Sequence, residues 1–143
     1  MNGRNWMIVG VGGGLGALSR STLSLLGSYH AFPVNFFVIN VLGSLLIGMV
    51  MALNVELGIL STQWRLFWGV GVLGGFTTFS TFMLGVHNLW TDVPAISLLY
   101  LIGTLLAGLI AAFLGLVSIR QLAAVAYRRA ERKDAEDDPK SNL

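Results

Sequence analysis

Gly74-Gly75-Phe76-Thr77-Thr78-Phe79-Ser80-Thr81-Phe82 sets three phenylalanines and four hydroxyl residues directly after paired glycines, inside an apolar and uncharged segment. A helix that merely crosses lipid is satisfied by Leu, Ile and Val. Gly-Gly followed by Thr-Thr instead invites the backbone to break and expose polar groups. Lipid tolerates such backbone only where it is buried in protein, lines a cavity or binds an ion. The spacing of Phe76, Phe79 and Phe82 predicts three rings on one helical face, with Thr77, Ser80 and Thr81 close by. Such a surface suits a small ion.

The rest of the chain agrees with a membrane setting. Of 143 residues, 55% are hydrophobic and only 11% charged, against about a quarter charged in soluble domains. The mean hydropathy is +0.73. Four stretches have the roughly 20 mostly apolar residues that a hydrocarbon core demands: Trp6 to Leu26, Pro33 to Val55, Leu66 to Trp90 and Pro94 to Ile119. The expected fold is therefore all-α, with four transmembrane helices in residues 1–119 and a break in the third. A charged tail follows over 120–143, expected to be a frayed helix end and then disorder. Pro33 and Pro94 lie at or near helix starts, where a missing N–H does least harm. A cleaved signal peptide is the weaker reading of the first stretch, which is Gly-rich and carries Arg20 near its end.

Orientation is read from Lys and Arg. Arg4 precedes the first span, Arg65 lies between the second and third, and Arg120, Arg128, Arg129, Arg132, Lys133 and Lys140 follow the fourth. The positive-inside rule then places both termini and the middle loop in the cytoplasm of a multi-pass plasma-membrane protein. Gly103, Ala107, Ala111 and Gly115 recur every fourth residue, as do Gly12 and Gly16. Such stripes let membrane helices approach closely. Four short helices are too few to enclose a polar pore, so assembly with a second subunit is expected.

Several functions are excluded by what is missing. With no Cys in the chain, disulfides and thiolate chemistry are unavailable. His30 and His87 have no ligand-spaced partner, and no nucleophile–base pair lies in the spans, so no enzyme and no nucleic-acid partner are expected. Gly12-x-Gly14-x-x-Ala17 mimics a dinucleotide fingerprint but lacks the strand and acidic partner that would give it meaning. No acidic residue lies within any span, which weighs against a proton-coupled four-helix multidrug exporter.

The polar residues that remain favour an anion. Arg20 is the only charge well within a span, where it would cost about 2.5 to 3.5 kcal/mol if central; the alternative is snorkelling to the interface. Asn40, near the middle of the second span, either donates to an anion or ties two helices together. Asn35 and Asn54 lie near the ends of that span and read as interfacial. Phenylalanine edges are positive, and Ser and Thr hydroxyls donate hydrogen bonds. An anion-conducting or anion-binding membrane oligomer is the reading these residues support.

At the same residues the chain resembles the Fluc/CrcB fluoride channels. The resemblance rests on Gly74 to Phe82, on Gly13-Gly14-Leu15-Gly16-Ala17-Leu18-Ser19-Arg20 and on Asn40-Val41-Leu42-Gly43-Ser44, in that family's order, and covers about Trp6 to Gly115. It implies a passive, fluoride-selective channel that exports cytoplasmic fluoride and so relieves its toxicity. It also implies an antiparallel dimer with two pores around a central structural sodium ion, which is not transported. By resemblance, Phe79 and Phe82 are pore phenylalanines with Ser80 and Thr81 nearby, Arg20 and Asn40 are the first-helix Arg and second-helix Asn, and Tyr100 and Thr104 form a polar track one turn apart. The sodium would be held by the backbone carbonyls of Gly74 and Thr77. Two departures stand out: Phe36 replaces an expected Thr, and Gly108 offers no hydroxyl where the fourth-helix track often continues, implying an impaired pore. The topology bias adds an alternative to the homodimer, an obligate heterodimer with an inverted homologue.

Overall fold

A computed structural model describes residues 2–25 and 33–137, so His30 and the distal end of the tail, 138–143, lie outside the described residues. Every regular element described is helical. Helix α1 spans Gly3–Leu25 and α2 spans Val34–Met51, continued by a π-helical turn over Ala52–Glu56. After a short loop, α3 (Thr62–Arg65) runs through π-helical turns over Leu66–Leu73 into α4 (Gly74–Phe76). The chain then breaks, and α5 (Ser80–Asp92) completes the third crossing before α6, Pro94–Asp137. The helix starts follow local chemistry: Pro33 directly precedes α2, Pro94 opens α6, and the Ser61 hydroxyl accepts from the Trp64 N–H at the start of α3.

Among the described residues, three helical stretches are long and apolar enough to cross a membrane: Val34–Asn54, Thr62–Asp92 and Pro94–Lys133. Helix α1 has the length, 23 residues, but its glycines and serines dilute its hydropathy below that of the others. Its hydroxyls return to their own helix, Ser19 to the Leu15 carbonyl at 2.9 Å and Thr22 to the Leu18 carbonyl at 3.0 Å. The hydroxyls of Ser19 and Thr22 therefore leave no unmet donor in lipid. Helix α6 does not end with its apolar run at Ile119. Its 44 residues make it about 66 Å long at 1.5 Å per residue, roughly twice the hydrocarbon thickness.

Glycine decides which helices touch. A Cβ on Gly12 would press on the Phe67 carbonyl, one on Gly16 would overlap the Val72 carbonyl, and one on Gly75 would overlap the Gly13 carbonyl. Helix α1 and the first half of the third crossing thus meet backbone to backbone. Helices α2 and α6 do the same, where Gly48 lies on the Ala112 carbonyl and Gly115 on the Leu45 carbonyl. The expected stripe on α6 holds only in its second half: Ala111 and Gly115 are buried, while a side chain at Gly103 would meet open space. The remaining core is Phe82, Val86, Leu89 and Tyr100, where α5 packs on α6 with Phe37 and Leu101 around it. The Ser97 hydroxyl locks this pair by donating to the Val86 carbonyl at 2.6 Å.

Gly16→Ala should lower the thermal midpoint markedly, because overpacking by one methyl against backbone costs about 1–3 kcal/mol. Gly10→Ala, where nothing lies within 4 Å, should leave it unchanged or slightly raised. Melting both variants in detergent, followed by circular dichroism, tests the pair.

Candidate functional site

The break in the third crossing is built by residues that take the backbone's hydrogen bonds away from the helix. Thr77 leaves helical geometry at ψ 153°, while its N–H still reaches the Leu73 carbonyl at 3.0 Å and its hydroxyl donates to the same oxygen at 2.9 Å. The next N–H, of Thr78, would serve the Gly74 carbonyl in a continuing helix. It donates instead to Asn40 Oδ1 at 2.9 Å, and Asn40 Nδ2 donates back to the Thr78 carbonyl at 3.0 Å. One amide side chain so replaces the helical partners of Thr78 on both sides. Of the two readings of Asn40, the structure places it as the tie between α2 and the break, which leaves one Nδ2 hydrogen uncommitted.

Thr78 then starts the second half. Its Oγ1 accepts the Thr81 N–H at 3.3 Å, in the manner of a helix cap, and donates to Thr81 Oγ1 at 3.1 Å. With that hydrogen used, Ser80 is the donor in its 3.4 Å contact with Thr78 Oγ1. Thr81 keeps its own hydroxyl hydrogen free to donate. Because the Thr81 N–H goes to Thr78 Oγ1, the Thr77 carbonyl also lacks its helical donor. Arg20 approaches that carbonyl from α1, Nη1 to oxygen at 3.5 Å. The cation within α1 is thus aimed at the break.

The expected ring arrangement is not found. Phe76, Phe79 and Phe82 do not share a helical face, because the backbone turns at Thr77 and puts Phe76 in α4, apart from the other two. Phe76 is buried beside Gly43. Phe79 and Phe82 form a tilted pair with centroids 5.8 Å apart, and Phe82 continues to Tyr100 at 5.3 Å. Phe79 is 69% exposed and Phe82 2%, so this aromatic line runs from an uncovered face into the core.

Tyr100 is buried, with its hydroxyl 3.5 Å from the Pro33 carbonyl. Thr104, one turn on, is 5% exposed, and among the described residues its Oγ1 is the buried side-chain oxygen with no hydrogen-bond partner. Gly108, a further turn on, carries no hydroxyl, but a Cβ placed there would lie 3.3 Å from Ser44 Oγ. Helix α2 therefore supplies a hydroxyl where α6 lacks one. Phe36, in the first turn of α2, is partly buried. The carbonyl-bearing residues Gly74 and Thr77 sit on the α4 side of the break, and Gly74 is exposed with open space around its Cα.

Two residues of this site went unread in the sequence. Thr78 binds Asn40, Ser80 and Thr81 but looked like one of several hydroxyls; a Thr just before a restarting helix was the available capping signal. Ser44 was quoted as part of a motif without a role, and only the α2–α6 packing reveals its neighbour. Asn40→Leu should be strongly destabilising, since it strands both backbone groups of Thr78 at about 1–3 kcal/mol each. Thr104→Val, which removes a hydroxyl with no hydrogen-bond partner among the described residues, should leave the melting temperature within a few degrees of the wild type. Thermal melts of the two variants side by side check this contrast.

Comparison with known proteins now gives the chain relatives. The family model described as "CrcB-like protein, Camphor Resistance (CrcB)" matches residues 7–116. A "Fluoride-specific ion channel FluC" from Chlorobium chlorochromatii is 38% identical over 120 residues, covering 82% of this chain and 93% of that protein. A "Fluoride-specific ion channel FluC 2" from Nitrobacter hamburgensis is 37% identical over 124 residues, covering 82% and 98%. The FluC of Thermus thermophilus is 46% identical over 114 residues, covering 77% and 90%. The matched segment contains α1, α2, both halves of the broken crossing and the apolar part of α6, and the chain belongs to the CrcB-like family of membrane proteins.

Proposed function

We propose that this chain is the subunit of a fluoride-selective channel through which fluoride leaves the cytoplasm down its gradient, and that it is not an enzyme. The observation that carries the reading is the interrupted third crossing, which sets hydroxyl donors and freed backbone groups at membrane depth. Fluoride is small and strongly hydrated, so it needs donors that replace its water. Thr81, whose hydroxyl hydrogen is uncommitted, and the Thr104 hydroxyl, partnerless among the described residues, offer such donors, with Ser80 able to join them by turning from Thr78, and the ring edges of Phe79 and Phe82 add positive electrostatic potential between them. Asn40 and Arg20 contribute mainly by holding the break open, with one amide hydrogen and the guanidinium charge left to favour an anion. Ser44 makes good the hydroxyl missing at Gly108, which supports a conducting pore despite that departure.

The channel is proposed to be an antiparallel dimer. Phe79, Ser80 and Gly74 are exposed in a single subunit, and open backbone of this kind persists in a membrane only when protein or an ion covers it. The carbonyls of Gly74 and Thr77, both stripped of their helical donors, are hard oxygen ligands that fit a structural sodium ion shared with a second subunit. The Lys and Arg distribution supports a cytoplasmic side for both termini. That bias sustains the second reading, in which the partner is an inverted homologue.

Fluoride efflux from liposomes containing this protein alone, followed by a fluoride electrode with chloride as control, tests the function and the partner together. Rapid, selective release is expected of a homodimer. No release from the protein alone, restored by an inverted homologue, would establish the heterodimer, and chloride release at an equal rate would overturn the fluoride reading. Thr104→Val and Phe82→Ile should each cut the flux at least tenfold, on the order of 1.4 kcal/mol or more of barrier, while the protein keeps its oligomeric size. Replacing all sodium by a bulky organic cation should lower the melting temperature, and an unchanged melt would remove sodium from the proposal.

A further inference from the structure

Several hydroxyls on the crossing helices are satisfied by their own backbone. Ser19, Thr22 and Ser118 each donate to the carbonyl four residues back, at 2.9, 3.0 and 2.7 Å, which lets a serine or threonine face hydrocarbon without another partner. Two hydroxyls at membrane depth do not. Among the described residues, buried Thr104 Oγ1 has no hydrogen-bond partner, and neither has the hydroxyl of Ser44, half-buried on α2. An open polar group is costly in an apolar setting, so two in one place call for an occupant.

The packing of α2 on α6 brings them together. A Cβ on Gly108 would lie 3.3 Å from Ser44 Oγ, and one turn further along both helices Gly48 meets the Ala112 carbonyl, so the two helices run parallel. One turn earlier on each, Asn40 comes level with Thr104. Ser44 lies ten residues after Val34 and Thr104 ten after Pro94, about 15 Å into a hydrocarbon core of about 30 Å. Asn40 adds a third donor to this layer. Its Oδ1 is taken by the Thr78 N–H and one Nδ2 hydrogen by the Thr78 carbonyl, which leaves a single N–H. An atom that only accepts, a halide ion, takes all three hydrogens at once, and one subunit supplies them all.

Gly108 gives the layer its room. The 3.3 Å from its missing Cβ to Ser44 Oγ is tighter than ordinary contact, so a methyl there would turn the hydroxyl back onto α2, toward the Asn40 carbonyl. We infer that Ser44 is a binding residue for the conducted anion, acting with the Asn40 amide and the Thr104 hydroxyl in a site between α2 and α6 that requires glycine at position 108. That the anion is fluoride rests on the channel reading; the convergence of donors does not.

Calorimetric titration of the full-length protein in detergent with sodium fluoride or sodium chloride, beside efflux of both halides from liposomes, tests the site. Wild type should bind fluoride in preference to chloride. Ser44→Ala should weaken fluoride binding and slow efflux at least about tenfold, the loss of one hydrogen bond to a charged partner. Gly108→Ala should do the same with an unchanged circular dichroism melt, since a rotamer change absorbs the methyl. Gly108→Ser alone should slow efflux, yet added to Ser44→Ala it should restore most of it, because the hydroxyl then reaches the same spot from α6. Ser118→Ala, which removes a hydroxyl bonded to its own helix, should change nothing. Selective fluoride efflux by wild type that Ser44→Ala leaves intact would overturn the site and spare the fluoride channel, and faster efflux in Gly108→Ser would overturn the requirement for glycine. Equal flux of both halides would overturn fluoride selectivity, while a tenfold loss of that flux in Ser44→Ala would uphold the site. If the protein alone does not conduct, the titration decides: fluoride binding that Ser44→Ala loses upholds the site, and no halide binding by wild type overturns it.

Discussion

The two hydrogen bonds between the Asn40 amide and the backbone of Thr78, 3.0 and 2.9 Å long, hold the rest of this structure in place. A helix interrupted in water finds solvent for its stranded N–H and C=O groups. In lipid it does not, and each stranded group costs several kcal/mol. Asn is short, so α2 must come very close for its amide to span both sides of one residue. Gly43, three residues on, makes that approach possible: a Cβ there would overlap the Thr77 side-chain methyl. On the other flank Gly16 and Gly75 bring α1 against the same segment. The small residues scattered through three helices thus serve one requirement, to surround a broken backbone with protein.

Breaking the helix also separates two electrostatic environments within a few ångströms. The first half ends with carbonyls, those of Gly74 and Thr77, and a helix C-terminus carries partial negative charge. The second half starts at Ser80 with N–H groups and partial positive charge. Thr78 sharpens the contrast, because its hydroxyl takes the Thr81 N–H that would otherwise have neutralised the Thr77 carbonyl. Oxygen ligands for a cation and hydroxyl donors for an anion therefore arise from a single interruption, without a buried carboxylate. Arg20, 3.5 Å from the Thr77 carbonyl, lies on the negative side of that divide, where its charge is offset rather than isolated in lipid.

Much of the fold could be read in the sequence, because lipid imposes simple rules of length and composition. The helical crossings, the proline starts and the interruption after Gly74-Gly75 follow from those rules. What escaped reading depended on the break itself. A uniform helical period put Phe76, Phe79 and Phe82 on one face, yet the turn at Thr77 resets the period, so Phe76 packs beside Gly43 while Phe79 points outward. The Gly103 end of the α6 stripe was read as an interface, but α6 meets α2 around Ala111 and Gly115, away from Gly103. The apolar run sets the span to Ile119, and helix propensity over Gln121 to Ala130 carries the helical tail on to Asp137.

Lipid tails are as apolar as Leu, so the many exposed aliphatic side chains of this subunit provide little drive to associate. Val11, Leu15 and Leu18 on α1 are as well served by acyl chains as by another protein. The break is different, since lipid offers nothing to the open backbone at Gly74 or the uncommitted hydroxyl hydrogen of Thr81. A second subunit would therefore be recruited by polar groups, and its contacts would converge on the break that the proposed ion pathway uses. Assembly and conduction then share one cause. In the proposed channel, a subunit that closed its third helix would lose both the polar surface offered to a partner and the hydroxyls offered to the ion, whereas one that changed its lipid-facing leucines would lose neither.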